Sequence, residues 1–294
     1  MLKGSLVALV TPFDQDNRVD YASLKRLIDF HVAEGSDGLV IAGTTGESAT
    51  LSKHEHLELV GRAVELADGR LPIVAGTGSN STARTVDLSV AVGDIGIDAY
   101  LVVVPYYNKP GQEGLFRHFS AVADAVSKPV ILYNVPGRTV ADLLPETVAR
   151  LASHENIFAI KEATGDIGRL RDIQALVDDE FRLFSGDDFT ALPFLQQGGH
   201  GVVTVSGNVA PAKMAKLCSL ATSGELDEAK VLDDSLQALN KALFVESNPI
   251  PVKWAVSRMG LIGPGIRLPL TEYAAEYHEQ MLSAMAGADV ELAI

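Results

Sequence analysis

Eight short apolar, β-rich runs recur along this chain, and their rhythm limits what it can fold into more than any single residue does. They lie at residues 6–10, 38–42, 72–75, 99–104, 129–133, 157–161, 182–185 and 201–205, with helical stretches between them. The spacing of roughly 20–35 residues is that of an α/β chain closing into a (β/α)8 TIM barrel. Most of the runs are apolar almost throughout, as parallel strands covered on both faces require. The intervening segments carry helix signals. Asp20 can cap a helix in which Leu24, Leu27 and Ile28 share a face. Ser52 and Glu55 have the spacing of a capping box, and Pro145 suits a first helical turn. An open doubly wound sheet is the competing architecture, but eight units in series without a linker favour closure. A barrel takes about 200–250 residues, and the last run ends at residue 205 of 294. We therefore read residues 1–224 as the barrel and 225–294 as a C-terminal helical extension, broken by Asn248-Pro249-Ile250-Pro251 and Gly263-Pro264-Gly265.

In such barrels the chemistry sits at the carboxyl ends of the strands, and the unusual residues collect there. The sixth run, otherwise apolar, ends in Lys161. A lysine so placed must find an anion or give up its proton, and burial lowers an amine by several pKa units from about 10.4. An amine moved to about 7–8 is a nucleophile that makes Schiff bases with carbonyls. The plain alternative is a solvated lysine paired with Glu162. After the second run comes Gly43-Thr44-Thr45-Gly46-Glu47, where backbone amides and two hydroxyls would suit a small carboxylate; a simple turn is equally compatible. The fifth run ends in Tyr133, so a phenol and the Lys161 amine can share one mouth and pass protons. Arg138, just beyond, can clamp a substrate carboxylate in two-point fashion or pair with Glu162 or Asp142.

The remaining features exclude more than they assign. Asp187 and Asp188 follow the seventh run, where many barrels hold phosphate, and would repel it. His54 and His56 face different sides of a helix, so no metal set has ligand spacing. Gly76-Thr77-Gly78-Ser79 lacks the lysine of a nucleotide-binding loop. A net charge of −14 argues against nucleic acid and anionic membranes as partners. The one cysteine, Cys218, excludes a disulfide framework and reads as a buried helical thiol. No apolar run reaches the ~20 residues of a membrane span, and a cytoplasmic protein is expected.

Taken in order, these motifs resemble the pyruvate-dependent Schiff-base aldolase superfamily, and within it the dihydrodipicolinate synthase family. The likeness runs from Gly4-Ser5-Leu6-Val7-Ala8-Leu9-Val10-Thr11-Pro12 through Gly43–Leu51, Tyr133–Thr139, Ile160-Lys161-Glu162-Ala163-Thr164-Gly165 and Ser185–Asp188 to Asn248-Pro249-Ile250-Pro251-Val252-Lys253-Trp254. Arg138 in its Val135-Pro136-Gly137-Arg138-Thr139 setting selects the synthase over the lyases. The resemblance implies condensation of pyruvate with L-aspartate 4-semialdehyde to 4-hydroxy-tetrahydrodipicolinate, in lysine and diaminopimelate biosynthesis, without a cofactor. It implies Lys161 as the imine-forming residue and Tyr133, Thr44 and Tyr107 as a proton relay, with Tyr107 crossing a subunit interface. Thr45, Gly186 and Val203 would hold pyruvate, and Arg138 the semialdehyde carboxylate. A homotetramer of two tight dimers is expected.

The resemblance also implies a lysine effector site at the dimer interface, near Ser48, Ala49, His56, Asn80 and Tyr106. Here the chain departs from inhibited relatives, with Arg84 in place of a glutamate and Lys53 in place of a histidine. Two cations beside a cationic effector imply weak lysine inhibition, at roughly 1 kcal/mol each for ~4 Å in water. Two rivals remain: another pyruvate aldolase, such as an N-acetylneuraminate or keto-deoxy sugar lyase, and a non-catalytic barrel with a regulatory role.

Overall fold

Because strand side chains alternate in direction, an apolar strand presents one row to a barrel's inside and the other to its helices. The computed structural model, which describes residues 2–293, has this arrangement. The strands β1 Gly4–Ala8, β2 Gly38–Ile41, β3 Ile73–Gly76, β4 Ala99–Val103, β5 Val130–Asn134, β6 Ile157–Glu162, β7 Arg182–Ser185 and β8 Gly201–Thr204 form a closed parallel barrel in chain order. Leu6, Val40, Val74, Leu101, Ile131, Ala159, Phe184 and Val203 make a separate interior cluster. Val7, Leu39, Ile73, Tyr100, Leu132, Ile160 and Leu183 belong to the outer core under the helices. Closure brings Gly4 opposite Gly201, where an added Cβ at Gly201 would lie 2.3 Å from the Gly4 carbonyl oxygen. The expected runs all become strands, with ends displaced by two residues or fewer.

Local signals do what their chemistry requires. Asp20 accepts hydrogen bonds from the amides of Ala22 and Ser23, starting helix Tyr21–Ala33 with Leu24, Leu27 and Ile28 buried. Ser52 and Glu55 form the reciprocal capping box of helix Lys53–Ala67. Pro145 begins helix Pro145–Ala152. Cys218 is buried in helix Pro211–Ser223, and burial pushes its thiol up, away from reactivity. Just beyond β5, residues Pro136–Thr139 form a short helical turn that carries Arg138.

Beyond Gly224, helices Leu226–Ala242, Ile250–Arg258 and His278–Gly287 pack on the barrel's outer core. From this segment Lys253 reaches back to Glu47 in the loop after β2, forming an ion pair with both side chains almost wholly buried. The Arg267 amide donates to the other Glu47 oxygen at 3.1 Å. Two cations lie against the Phe13 ring, Lys253 Nζ at 4.3 Å and the Arg267 guanidinium at 4.2 Å from its centre.

Candidate active site

Parallel pairing of β5 with β6 puts Tyr133 opposite Lys161 and Asn134 opposite Glu162. Period-two alternation then sends the first pair inward and the second outward. The Lys161 side chain is buried, 6% exposed, with Nζ 4.0 Å from the Tyr133 ring centre. Among the described residues no carboxylate pairs with it. Glu162, its expected plain partner, is engaged elsewhere: it accepts from the Thr164 amide at 2.8 Å and from Asn134 Nδ2 at 3.1 Å. Burial pushes the Glu162 carboxyl up.

The path of the lysine side chain depends on Gly186 at the end of β7. A Cβ there would lie 2.7 Å from Lys161 Cε and 2.7 Å from Ala163 Cβ. No side chain larger than hydrogen fits without moving the amine.

The loop after β2 is bent by two left-handed residues, Ala42 at φ 54° and Glu47 at φ 55°. Gly76 makes room for it, since a Cβ at that position would stand 2.5 Å from the Ala42 carbonyl oxygen. The Thr11 hydroxyl donates to the Gly46 carbonyl at 2.7 Å. Thr45 is buried, and its hydroxyl oxygen accepts from Asn248 Nδ2 at 3.0 Å.

These elements enclose a cavity of about 140 Å³ lined by Thr44, Thr45, Tyr133, Arg138, Lys161 and Gly186, together with Asn248 and Asp187. Val203 sits in the barrel's interior cluster, and the residue at the cavity wall is Val205, just past the end of β8. Arg138 pairs with neither Glu162 nor Asp142. Its Nη2 donates to the Asn248 carbonyl at 3.3 Å, while Asp142 is taken by Arg169 at 2.8 Å. Of the two aspartates after β7, Asp188 is buried against the amides of Val205 and Ser206, at 2.9 Å each. Asp187 alone faces the cavity.

A wider cleft of about 710 Å³ adjoins the cavity and shares Thr44, Val135, Arg138 and Asn248 with it. Its wall includes Ser48, Ala49, Lys53, His56, Arg84 and Tyr106, six of the residues expected around an effector. Asn80 is not on this wall; its carbonyl accepts from Asn108 at 2.8 Å. Lys53 is not a free cation, because it pairs with Asp87 from the next helix. Burial pushes the His56 imidazole down to about 4, so it is neutral. Tyr107 is 88% exposed at φ 74° and contributes to neither cavity within one chain.

Sequence reasoning missed Asn248, Lys253 and Asp87. The first two stand in a motif that reads only as a helix break and as part of the family likeness, 203 and 206 residues away from their partners. No group of three or more His, Cys, Asp or Glu among the described residues is arranged to hold a metal ion.

An unpaired amine beside a phenol, in a buried cavity with two threonine hydroxyls and an arginine at its mouth, is a site for carbonyl chemistry on a small keto acid. Comparison with known proteins agrees. The model of the dihydrodipicolinate synthetase family matches residues 1–288. A 4-hydroxy-tetrahydrodipicolinate synthase of Nitrosospira multiformis is 54% identical over 293 residues, covering 100% of this chain and 98% of that relative. The chloride-inhibited dihydrodipicolinate synthase of Acinetobacter baumannii, solved with pyruvate, superposes with a TM-score of 0.97 at 45% identity, covering 99% of this chain and 100% of that one. The synthase of Cyanidioschyzon merolae, solved with lysine bound, gives a TM-score of 0.95 at 39% identity, covering 98% of each. With the whole barrel, its extension and the site loops inside the matched span, this chain belongs to the dihydrodipicolinate synthetase family.

Proposed function

We propose that this chain is an enzyme condensing pyruvate with L-aspartate 4-semialdehyde to give 4-hydroxy-tetrahydrodipicolinate, in lysine and diaminopimelate biosynthesis. The observation that carries the reading is Lys161, buried without a carboxylate partner beside the Tyr133 ring. The Lys161 amine adds to the ketone of pyruvate, and the carbinolamine loses water to form an imine. Thr45 and the Thr44 loop hold the pyruvate carboxylate, with Gly186 leaving room for the lysine and Val203 beneath. Loss of a methyl proton gives an enamine, which attacks the aldehyde carbon. The substrate's own amine then displaces Lys161 by transimination and closes the ring. Tyr133, Thr44 and Tyr107 pass the protons, and Arg138 holds the semialdehyde carboxylate. All of these steps use protein groups and need no cofactor. The test is reduction with borohydride in the presence of pyruvate, followed by peptide mapping. A pyruvyl adduct on Lys161 is expected; an adduct elsewhere, or none, would refute the assignment.

The exposure and left-handed backbone of Tyr107 support a relay completed by a neighbouring subunit, in a homotetramer of two tight dimers. A variant shown by sedimentation to be monomeric is expected to lose most of its turnover, and full turnover in a monomer would exclude the shared relay. Residues 225–294 serve as an extension that completes the site rather than as a separate catalytic unit. No described helix is long and apolar enough to cross a membrane, and a cytoplasmic setting follows from the biosynthetic role.

Lysine would enter the wider cleft near Ser48, Ala49, His56 and Tyr106. With Lys53 neutralised by Asp87, repulsion of its ammonium rests on Arg84. One unscreened cation at ~4 Å in water weakens binding by roughly 1 kcal/mol, about fivefold. Inhibition by lysine is therefore expected only at millimolar concentrations, and an inhibition constant well below that would contradict the role given to Arg84.

A further inference from the structure

The loop that offers Thr44 and Thr45 is held from the far end of the chain at two points. Asn248 Nδ2 donates to the Thr45 hydroxyl oxygen at 3.0 Å, and five residues later Lys253 pairs with Glu47. Both tethers are buried; Asn248 lies just before helix Ile250–Arg258 and Lys253 in its first turn. Glu47 also takes the Arg267 amide at 3.1 Å, so both of its carboxylate oxygens are bound to the extension. Its own amide donates to the Thr44 carbonyl at 3.1 Å. Anything that shifts the carboxylate therefore pulls on Thr44. Glu47 holds a left-handed backbone, which an L-residue adopts only when its surroundings impose it. The hydrogen bond to Thr45 has a directional consequence as well. A hydroxyl that receives a hydrogen bond from Asn248 has its single proton free to donate to a carboxylate.

We propose that Glu47, Lys253 and Asn248 are positioning residues for the condensation, a clamp through which the C-terminal extension sets the threonine hydroxyls against the keto acid's carboxylate. This rests on the functional reading above. The clamp acts on pyruvate before the aldehyde arrives, so its loss raises the pyruvate KM and spares the aldehyde KM.

Geometry also gives the clamp a switchable member. Burial lowers Lys253 to about 8, against the raising effect of Glu47, and the Arg267 charge lowers it further. The charged groups facing it are Glu47 and Arg267, and Arg267 is itself paired with Glu55. Above about pH 8 the ammonium gives up its proton, and the charged pair with Glu47 becomes the weaker hydrogen bond of a neutral amine.

The experiment measures KM for each substrate against pH in the full-length enzyme and in Lys253→Arg, which stays charged throughout. In the wild type the pyruvate KM is expected to climb about tenfold between pH 7.5 and 9.5, while Lys253→Arg flattens that climb. An identical climb in both enzymes would overturn the proposal, because it would belong to other titrating groups. Should Lys253→Arg fail to fold, Asn248→Ala decides. A pyruvate KM raised about tenfold at every pH, with the aldehyde KM within twofold, supports the clamp; an unchanged pyruvate KM, or equal losses for both substrates, removes it. Borohydride trapping of pyruvate on Lys161 in the wild type separates failure of the clamp from failure of the functional assignment.

Discussion

Replacing Lys161 with alanine is expected to lower turnover by about 10⁴-fold or more and to abolish the pyruvyl adduct. Removal of a covalent nucleophile eliminates the route, whereas a lost binding contact only weakens it. The substitution should fold, because the side chain lines a cavity and pairs with no carboxylate among the described residues. Its methylenes pack over Gly186, so alanine leaves space rather than a clash. The measurement is a turnover assay beside mass spectrometry of the borohydride-treated protein. A Lys161→Ala protein that folds, still turns over within tenfold of wild type and still takes the label would show that another amine does the work.

The largest effect on stability is expected from Lys253→Met. The ion pair with Glu47 is almost entirely out of water. Removing one partner leaves a buried carboxylate without its counter-ion, which costs about 3–5 kcal/mol in comparable sites. Changing both partners tells the two contributions apart. In Glu47→Gln/Lys253→Met no charge is stranded, and the Arg267 amide keeps an acceptor. The double variant should recover much of the lost stability in denaturant unfolding. It should not recover the pyruvate KM, since the Glu47 tether is still cut. Additive losses in the double variant would mean that the pair contributes through packing on Phe13 rather than through charge.

The barrel was legible because parallel strands covered on both faces must be written as continuous apolar runs. Their ends were less so. The run at 201–205 stops as a strand at Thr204, because Val205 and Ser206 turn to bind the Asp188 carboxylate. Lys161 and Tyr133 could be found because a polar residue closing an apolar strand is conspicuous, and strand neighbours in sequence are neighbours in a barrel. Arg138 was legible as a residue but not by its contact. Its hydrogen bond goes to the Asn248 carbonyl, 110 positions away, and not to the nearby carboxylates. The partner of Lys53 in the effector cleft was hidden for the same reason, since Asp87 lies one helix further on. Lys253 is named only within the motif that carries the family likeness, and nothing within a few residues of it announces a buried partner. Local pattern reports strand, helix and cap; it carries no record of which distant loop a side chain will meet.

That distance has a bearing on how the molecule comes into being. A growing chain emerges from its amino end, so Thr44, Thr45 and Glu47 are made two hundred residues before their tethers. Tyr133 and Lys161 can already face one another when the eighth strand closes the ring. Until helix Ile250–Arg258 has left the ribosome, however, the newborn barrel carries its threonine loop untied and the Glu47 carboxylate without its lysine.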